Sequence, residues 1–198
     1  MNDPARIGVF GGTFDPIHRT HLNIARAAMR HAKLDRVLFV VAGMPPHKHG
    51  EVFATPEQRL RMVEAALADE PGMEACDIEL KRHGPSYTAD TLDALRAEYP
   101  DAELHLILGL DSLADLPDWY APDRILRQAK ILGVSRPGIP TELPPLLVGH
   151  CDLIPFAEND LSSTEVRDRL ACGEDVSHLL PPAVLRYIQA EGLYHARG

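Results

Sequence analysis

The sequence has no apolar run long enough to cross a bilayer, few cysteines and no excess of cations. A membrane-spanning helix needs about 20 apolar residues in a row. The amino terminus also lacks the basic-then-apolar pattern of a signal peptide, so we expect a cytoplasmic protein. The three cysteines, Cys76, Cys151 and Cys172, are far apart and form no C-x-x-C pair, which favours isolated thiols over a zinc site or a disulfide.

Charge and length limit the kind of partner and the number of domains. Lysine and arginine total 20 against 29 aspartates and glutamates, a formal net charge of −9. A nucleic-acid surface needs clustered cations, so this balance argues against nucleic acid, although a few local cations are enough for a small anionic ligand. The 198 residues suffice for one domain with a full core, and no linker or repeat divides residues 1–198.

Short β-rich runs alternate with helical patterns along the chain. Strands are predicted at residues 6–10, 36–41, 75–80, 104–108, 130–135 and 151–154, and three of them are apolar at their centres. Helices are predicted at residues 18–32, 56–68, 89–98, 122–128, 163–171 and 182–191. This alternation, with connections long enough for right-handed crossovers, predicts an α/β fold, a doubly wound parallel sheet in a three-layer α/β/α arrangement.

Ligands of such sheets bind beyond the carboxyl ends of the strands, which draws attention to the turn after the first strand. Gly11 and Gly12 allow the backbone to turn sharply and to approach a ligand closely. The helix that follows offers free N–H groups and a positive dipole end, which suits an anion. His18 and His21 are three residues apart, so they share one helix face and can donate to phosphate oxygens. Two exposed histidines, or half of a metal site, are the alternatives.

The segment from Gly12 to His21 resembles the G-x-F-D-P-x-H-x-G-H signature of the nucleotidyltransferase superfamily of adenylyl- and cytidylyltransferases. One position departs from it, because Thr20 stands where the superfamily has glycine. A threonine there adds bulk near the expected nucleotide, or its hydroxyl contacts the ligand or caps the helix. The resemblance implies a Rossmann-like nucleotidyltransferase fold and ATP bound by Gly11, Gly12, Thr13, Phe14, Asp15, His18 and His21.

A second phosphate motif is predicted close to the carboxyl terminus. Ser162 and Glu165 have capping-box spacing, so a capped helix is expected there. Three successive hydroxyl residues at a helix start also suit an anion, with an arginine one turn later. The segment resembles the I-S-S-T-x-[IV]-R motif of the same superfamily, which implies that the β- and γ-phosphates of ATP are held by Ser162, Ser163, Thr164 and Arg167.

Two further segments are candidates for the second substrate. Pro46 stiffens the loop after the second strand, where His47 and Lys48 present cations, although a rigid surface loop is the simpler interpretation. A helix is expected to start at about Thr88, next to Tyr87. Its free amides suit a carboxylate or phosphate, and Thr88 as a plain N-cap is compatible with that.

The segments after the fourth and fifth strands add weaker candidates. Gly109 and Asp111 follow a strand, and the resemblance described below adds both to the residues expected to bind ATP. Asp111 either binds a ribose hydroxyl or caps a short helix. Trp119, the only tryptophan, is either a core residue or a stacking surface for an aromatic ring. Arg136 is a weaker phosphate candidate, with a plain surface arginine as the alternative.

Together these segments resemble the nicotinate-nucleotide adenylyltransferase branch of the superfamily, from about Ile7 to Tyr194. That resemblance implies transfer of the adenylyl group of ATP to nicotinate mononucleotide, giving nicotinate adenine dinucleotide and pyrophosphate in NAD biosynthesis. It implies that Trp119 stacks on the pyridine ring and that Tyr87 and Thr88 meet its carboxylate. The wider set of residues expected to bind nicotinate mononucleotide is Pro46, His47, Lys48, Tyr87, Thr88, Trp119 and Arg136.

The implied mechanism needs no general base, because the attacking phosphate oxygen is already ionised. The residues expected to act in catalysis are His18 and His21 at the α-phosphate, with Lys48 and Arg167 on the triphosphate. Mg²⁺ is expected to be held mainly through ATP and water, with no metal site of the protein's own.

Three alternatives stay open. One is transfer to a pantetheine phosphate or to nicotinamide mononucleotide, and another is a nucleotide-binding protein without activity. The third is a metallohydrolase that uses His18, His21 and His47, although no carboxylate lies at metal-ligand spacing. The sequence does not fix the oligomeric state, so a homo-oligomer also stays open.

Overall fold

The structure is a computed structural model that describes residues 4–44, 52–135, 142–157 and 161–195. Six parallel strands form one sheet in the order β3-β2-β1-β4-β5-β6. The strands are β1 (Arg6–Gly12), β2 (Arg36–Val41), β3 (Met73–Cys76), β4 (Glu103–Gly109), β5 (Ala129–Ser135) and β6 (Cys151–Pro155). The doubly wound parallel sheet predicted from the sequence is therefore confirmed.

Helices cover both faces of the sheet. They are α1 (Arg19–Ala32), α2 (Pro56–Leu67), α3 (Thr88–Glu98), α4 (Leu110–Asp115), α5 (Pro122–Gln128), α6 (Ser163–Ala171) and α7 (Pro182–Glu191). Short 3₁₀ turns lie at Leu116–Asp118 and Pro145–Leu147. In the described ranges no helix has the length and apolar character needed to cross a membrane.

Strand β2 illustrates why this sequence forms a sheet buried on both faces. Val37, Phe39 and Val41 face one core cluster, and Leu38 and Val40 face the other. None of these five side chains is more than 3% exposed. Alternate residues of a strand point to opposite faces, so a strand with helices on both sides must be apolar at every position.

The third strand is the main departure from the predicted elements. It ends at Cys76, and the chain then turns at Asp77, whose carbonyl accepts hydrogen bonds from the backbone N–H groups of Leu80 (2.9 Å) and Lys81 (3.2 Å). The predicted strand 75–80 overlaps β3 at residues 75 and 76, and only its extension to residue 80 was wrong. Ile78 and Leu80 alternate as strand residues do, which suggested the longer strand. In the turn they still pack partly against the two core clusters.

The topology fixes where a ligand can bind. β1 lies between β2 and β4, and the chain runs outward from it in opposite directions. The carboxyl ends of β1 and β4 therefore form the switch point of the sheet, where such folds bind ligands.

Candidate active site

The turn after β1 is built around a buried phenylalanine. Phe14 is 2% exposed, has a φ of +51°, and packs edge-on against Phe10 with ring centroids 5.8 Å apart. A Cβ on Gly12 would lie 2.7 Å from the Phe14 ring, whereas a Cβ on Gly11 would meet nothing within 4 Å. The two glycines, predicted to serve one purpose, differ. Gly12 makes room for Phe14, and Gly11 leaves the turn open to a ligand.

His18 and His21 come together at the start of α1. Their ring centroids are 3.8 Å apart, and the backbone N–H of His18 donates to Nδ1 of His21 over 3.2 Å. His18 is only 3% exposed, and among the described residues its Nδ1 has no hydrogen-bond partner. Burial lowers the pKa of the His18 ring to about 4. His18 is therefore not an exposed histidine, and at neutral pH it is an uncharged ring with one donor and one acceptor.

Asp15 lies inside the protein. Its side chain is 3% exposed and accepts hydrogen bonds from the backbone N–H groups of Phe53 (2.9 Å) and Ala54 (3.2 Å) and from the Tyr194 hydroxyl (2.6 Å). The Phe14 side chain is buried as well. Both residues were predicted to contact ATP. Their side chains point into the interior and stabilise the turn, and contact of Phe14 and Asp15 with ATP stays a prediction.

The second phosphate motif contacts the first. Ser162 caps α6, as predicted, since its Oγ accepts from the backbone N–H of Glu165 over 3.1 Å. The Ser163 hydroxyl donates to the carbonyl oxygen of Pro16 over 3.0 Å.

Arg167 makes the second link between the motifs. It donates from Nη1 to the carbonyl oxygen of Asp15 over 2.7 Å and from Nη2 to Oγ1 of Thr164 over 3.1 Å. Two segments about 150 residues apart in the sequence thus share one site. Contact of Ser162, Ser163, Thr164 and Arg167 with ATP stays a prediction.

A cavity of about 290 Å³ lies beside the turn, at the carboxyl ends of the central strands. Gly11, Gly12 and Thr13 line it on one side, and the predicted acceptor residues Tyr87, Thr88 and Trp119 line it elsewhere. Trp119 also packs partly against the core, and its stacking on an aromatic ring stays a prediction.

Helix α3 places its first turn at this cavity. The N-cap of α3 is Tyr87 and not Thr88, one residue earlier than predicted, so Thr88 contributes a first-turn amide. The Tyr87 ring also stacks near that of Tyr120, with centroids 4.6 Å apart. The cavity therefore combines aromatic walls with the positive end of a helix dipole.

Several residues of this cavity were missed from the sequence. Glu79 is 8% exposed and accepts a 2.7 Å hydrogen bond from the Thr91 hydroxyl. Ser86 accepts at Oγ from the backbone N–H groups of Gly43 and Met44, both over 3.1 Å. Glu79 was hidden inside the predicted third strand, and only the turn at Asp77 brings it to the cavity.

The remaining predicted residues either do not line the cavity or lie outside the described residues. Gly109, and not Asp111, is the N-cap of α4, and Asp111 lies in the first helical turn. The cavity is lined by Ser112 rather than by either of them, so contact of Asp111 with a ribose stays a prediction. Pro46, His47, Lys48 and Arg136 fall outside the described residues.

A larger cavity, about 890 Å³, lies at the opposite, amino-terminal edge of the sheet. Several of its charged side chains pair with one another: Lys130 and Arg6 contact Glu103, and His31 contacts Asp152. None of the predicted site residues lines it. Within the described ranges, no group of three or more histidine, cysteine, aspartate or glutamate side chains is arranged to hold a metal ion.

Comparison with known proteins gives consistent results. Residues 9–169 match the cytidylyltransferase-like family. The chain is 47% identical over 196 residues to a probable nicotinate-nucleotide adenylyltransferase of Roseiflexus sp. (strain RS-1), covering 96% of this chain and 98% of that protein. It is 38% identical over 192 residues to the nicotinate-nucleotide adenylyltransferase of Bacillus subtilis (strain 168), covering 96% and 99%.

A solved structure has the same fold. It is the Plasmodium falciparum nicotinic acid mononucleotide adenylyltransferase complexed with NaAD, with a TM-score of 0.78 and 18% identity over 96% of this chain and 97% of that one. At this identity the likeness concerns the fold alone.

Proposed function

The chain belongs to the family of the nicotinate-nucleotide adenylyltransferases, within the cytidylyltransferase-like proteins, and from this premise we propose the reaction that it catalyses. It transfers the adenylyl group of ATP to nicotinate mononucleotide, giving nicotinate adenine dinucleotide and pyrophosphate. One observation carries the proposal: the two phosphate motifs meet through the Ser163–Pro16 and Arg167–Asp15 hydrogen bonds, next to a cavity with aromatic walls.

The chemistry follows from this arrangement. The phosphate of the mononucleotide is ionised at neutral pH and attacks the α-phosphorus of ATP in line, so the site must align the two substrates and stabilise charge. His18 and His21 lie at the start of α1, shortly after the residues of the turn that line the cavity, and in this proposal a neutral His18 donates one hydrogen bond to an α-phosphate oxygen. The negative charge of the nucleotide would raise the pKa of that ring and strengthen the bond.

Arg167 and the α6 amino terminus suit the rest of the triphosphate. The guanidinium carries a permanent charge, and the first turn of α6 presents backbone N–H groups beside the exposed hydroxyls of Ser162 and Thr164. These groups would hold the β- and γ-phosphates and stabilise the leaving pyrophosphate. Lys48 is part of the same proposal through the family resemblance.

Mg²⁺ belongs to the proposal as an ion bound through ATP. The carboxylate of the turn, that of Asp15, is buried and already accepts three hydrogen bonds, so it is poorly placed to bind a metal. Phosphate oxygens and water are the ligands that this ion prefers. When bound, it would neutralise charge on the triphosphate.

The cavity supports nicotinate over the other acceptors. The first turn of α3, at Thr88, presents backbone amides and the positive end of a helix dipole, which suit a carboxylate. Trp119 and Tyr120 offer ring surfaces to a pyridine. The carboxylate of Glu79, which would repel an anion, is partly satisfied by the Thr91 hydroxyl. A pantetheine phosphate would leave these aromatic walls without a ring to bind.

The test is a comparison of acceptors under identical conditions. Purified protein is incubated with ATP, Mg²⁺ and either nicotinate mononucleotide, nicotinamide mononucleotide or phosphopantetheine, and pyrophosphate and dinucleotide are measured. We expect the highest turnover with nicotinate mononucleotide. Binding of ATP by calorimetry without pyrophosphate release from any acceptor would favour the non-catalytic alternative, and release with phosphopantetheine alone would overturn the assignment. The cytoplasmic location, the homo-oligomer and the lack of a nucleic-acid partner stay predictions.

A further inference from the structure

Asp15 and Tyr194 form a partly buried contact between the phosphate turn and the carboxyl-terminal segment. The Tyr194 hydroxyl donates to Oδ1 of Asp15 over 2.6 Å, although the two residues are 179 positions apart. With the N–H groups of Phe53 and Ala54, this carboxylate has three donors in the interior. Hydrogen bonds to a charged, buried group are strong, so they fix the position of Asp15.

The backbone carbonyl oxygens of the same turn accept hydrogen bonds from side chains elsewhere in the chain. Arg59, 1% exposed, donates from Nη1 to the carbonyl oxygen of Thr13 over 2.7 Å. Arg167 donates to the carbonyl oxygen of Asp15, and Ser163 to that of Pro16. Residues 13, 15 and 16 are thus tied to α2, to α6 and to the carboxyl-terminal segment, and His18 follows two residues later.

Arg167 is also linked to the Asp15 side chain through Phe53. Its guanidinium lies over the Phe53 ring, 4.7 Å from the centroid, while the Phe53 N–H donates to the Asp15 carboxylate. A shift of the Asp15 side chain therefore moves Phe53, and with it the surface on which Arg167 rests. Burial, and then the hydrogen bond to Asp15, raises the pKa of Tyr194, so this hydroxyl remains a donor throughout the working pH range.

We propose that Tyr194 and Asp15 are positioning residues for adenylyl transfer, which act through the hydrogen bond between them to hold His18 and Arg167 in the arrangement that binds the triphosphate. This inference rests on the proposed function. The acceptor cavity is lined by other residues, and neither Asp15, Phe53, Arg167 nor Tyr194 is among them. The effect of breaking the contact should therefore fall on ATP and not on nicotinate mononucleotide.

The experiment uses Tyr194→Phe, which removes one hydroxyl and keeps the ring, and Asp15→Asn, which removes the charge. Tyr187→Phe is the matched control, because Tyr187 lies in α7 and is not a donor to Asp15. We expect kcat/KM for ATP to fall about tenfold to a hundredfold in Tyr194→Phe, the range for losing a hydrogen bond to a charged group. The KM for nicotinate mononucleotide should stay within about twofold, and the control should match the wild type.

A folded Tyr194→Phe protein with wild-type kcat/KM for ATP would overturn the inference. So would a loss that appears only as a smaller active fraction, with both KM values unchanged, since that marks a purely structural role. If Asp15→Asn does not fold, Tyr194→Phe decides the question. Calorimetric ATP binding separates this inference from the proposed function: weaker binding in Tyr194→Phe is expected even if the wild type makes no dinucleotide, and equal binding in both proteins counts against the inference.

Discussion

The phosphate turn and the acceptor cavity are neighbours that are built in different ways. Residues 13–18 are held by hydrogen bonds from three distant parts of the chain, and the carboxylate and histidine among them are buried. The cavity is walled by aromatic rings, with Tyr120 half exposed. Groups that stabilise charge work best when they are fixed in advance, whereas an aromatic ring is bound mainly by apolar surface with a few polar groups. Changes in the turn should therefore lower turnover, and changes in the cavity should raise the KM of the acceptor.

The largest effect is expected from His18→Ala. Loss of a donor to the reacting phosphate should lower kcat about 10²- to 10³-fold, with the KM for nicotinate mononucleotide nearly unchanged. Steady-state kinetics of the folded variant measure this. His31→Ala is the control, because His31 lies at the other end of α1 and contacts Asp152. A loss of less than about fivefold in kcat would remove His18 from the catalytic residues.

Replacing each glycine of the turn should have a different effect, on packing at Gly12 and on ligand access at Gly11. Gly12→Ala should lower the free energy of unfolding by about 1–3 kcal/mol, because the new methyl group would lie 2.7 Å from the buried Phe14 ring. Gly11→Ala should leave stability nearly unchanged and lower kcat/KM, since Gly11 lines the cavity. Denaturant unfolding of both variants is the measurement, and equal stability loss would contradict the distinction.

The buried His18 also predicts how stability depends on pH. The pKa of the ring is about 4 in the folded protein against 6.5 for an exposed histidine, so the unfolded chain takes up a proton first. The contribution of the neutral His18 ring to the free energy of unfolding is therefore fully present well above pH 6.5 and is lost as the pH falls toward 4. At pH 5.5 the expected loss is on the order of 1 kcal/mol. Unfolding of the wild type and of His18→Gln at pH 7.5 and 5.5 measures it. The same pH dependence in both proteins would count against a buried, neutral His18.

The smallest effect is expected in the acceptor cavity. Trp119→Ala should raise the KM for nicotinate mononucleotide about fivefold, the size of one aromatic stacking contact, and leave the KM for ATP unchanged. Trp119→Phe, which keeps a ring, should retain most of the affinity. An equal rise in the KM for ATP would contradict the assignment of the cavity to the acceptor and of the turn to ATP.

The fold could be predicted because it depends on local sequence patterns. The family motifs also predicted that the two phosphate motifs lie in one site. The apolar runs of β2 and β4 mark a sheet buried on both faces, and the Ser162–Glu165 spacing marks the start of α6. These features need only a few neighbouring residues. The family motifs then indicated which turns share a ligand.

Long-range polar contacts could not be predicted in the same way. Nothing near Tyr194 or Arg59 in the sequence indicates that one donates to Asp15 and the other to Thr13. Asp15 reads as a ligand-binding aspartate because it lies in a phosphate motif, yet its partners come from residues 53, 54 and 194. Glu79 was likewise assigned to a strand until the turn at Asp77 placed it beside the cavity.

The most direct test of the proposed reaction is to measure which product receives each phosphorus atom of ATP. With ATP labelled at the α-phosphorus and nicotinate mononucleotide as acceptor, the label should appear in the dinucleotide, and with ATP labelled at the γ-phosphorus it should appear in pyrophosphate. That result is required if the phosphate of the mononucleotide attacks the α-phosphorus of ATP and pyrophosphate leaves. A γ-label found on the mononucleotide, or released as inorganic phosphate without dinucleotide, would contradict adenylyl transfer as the reaction of this site.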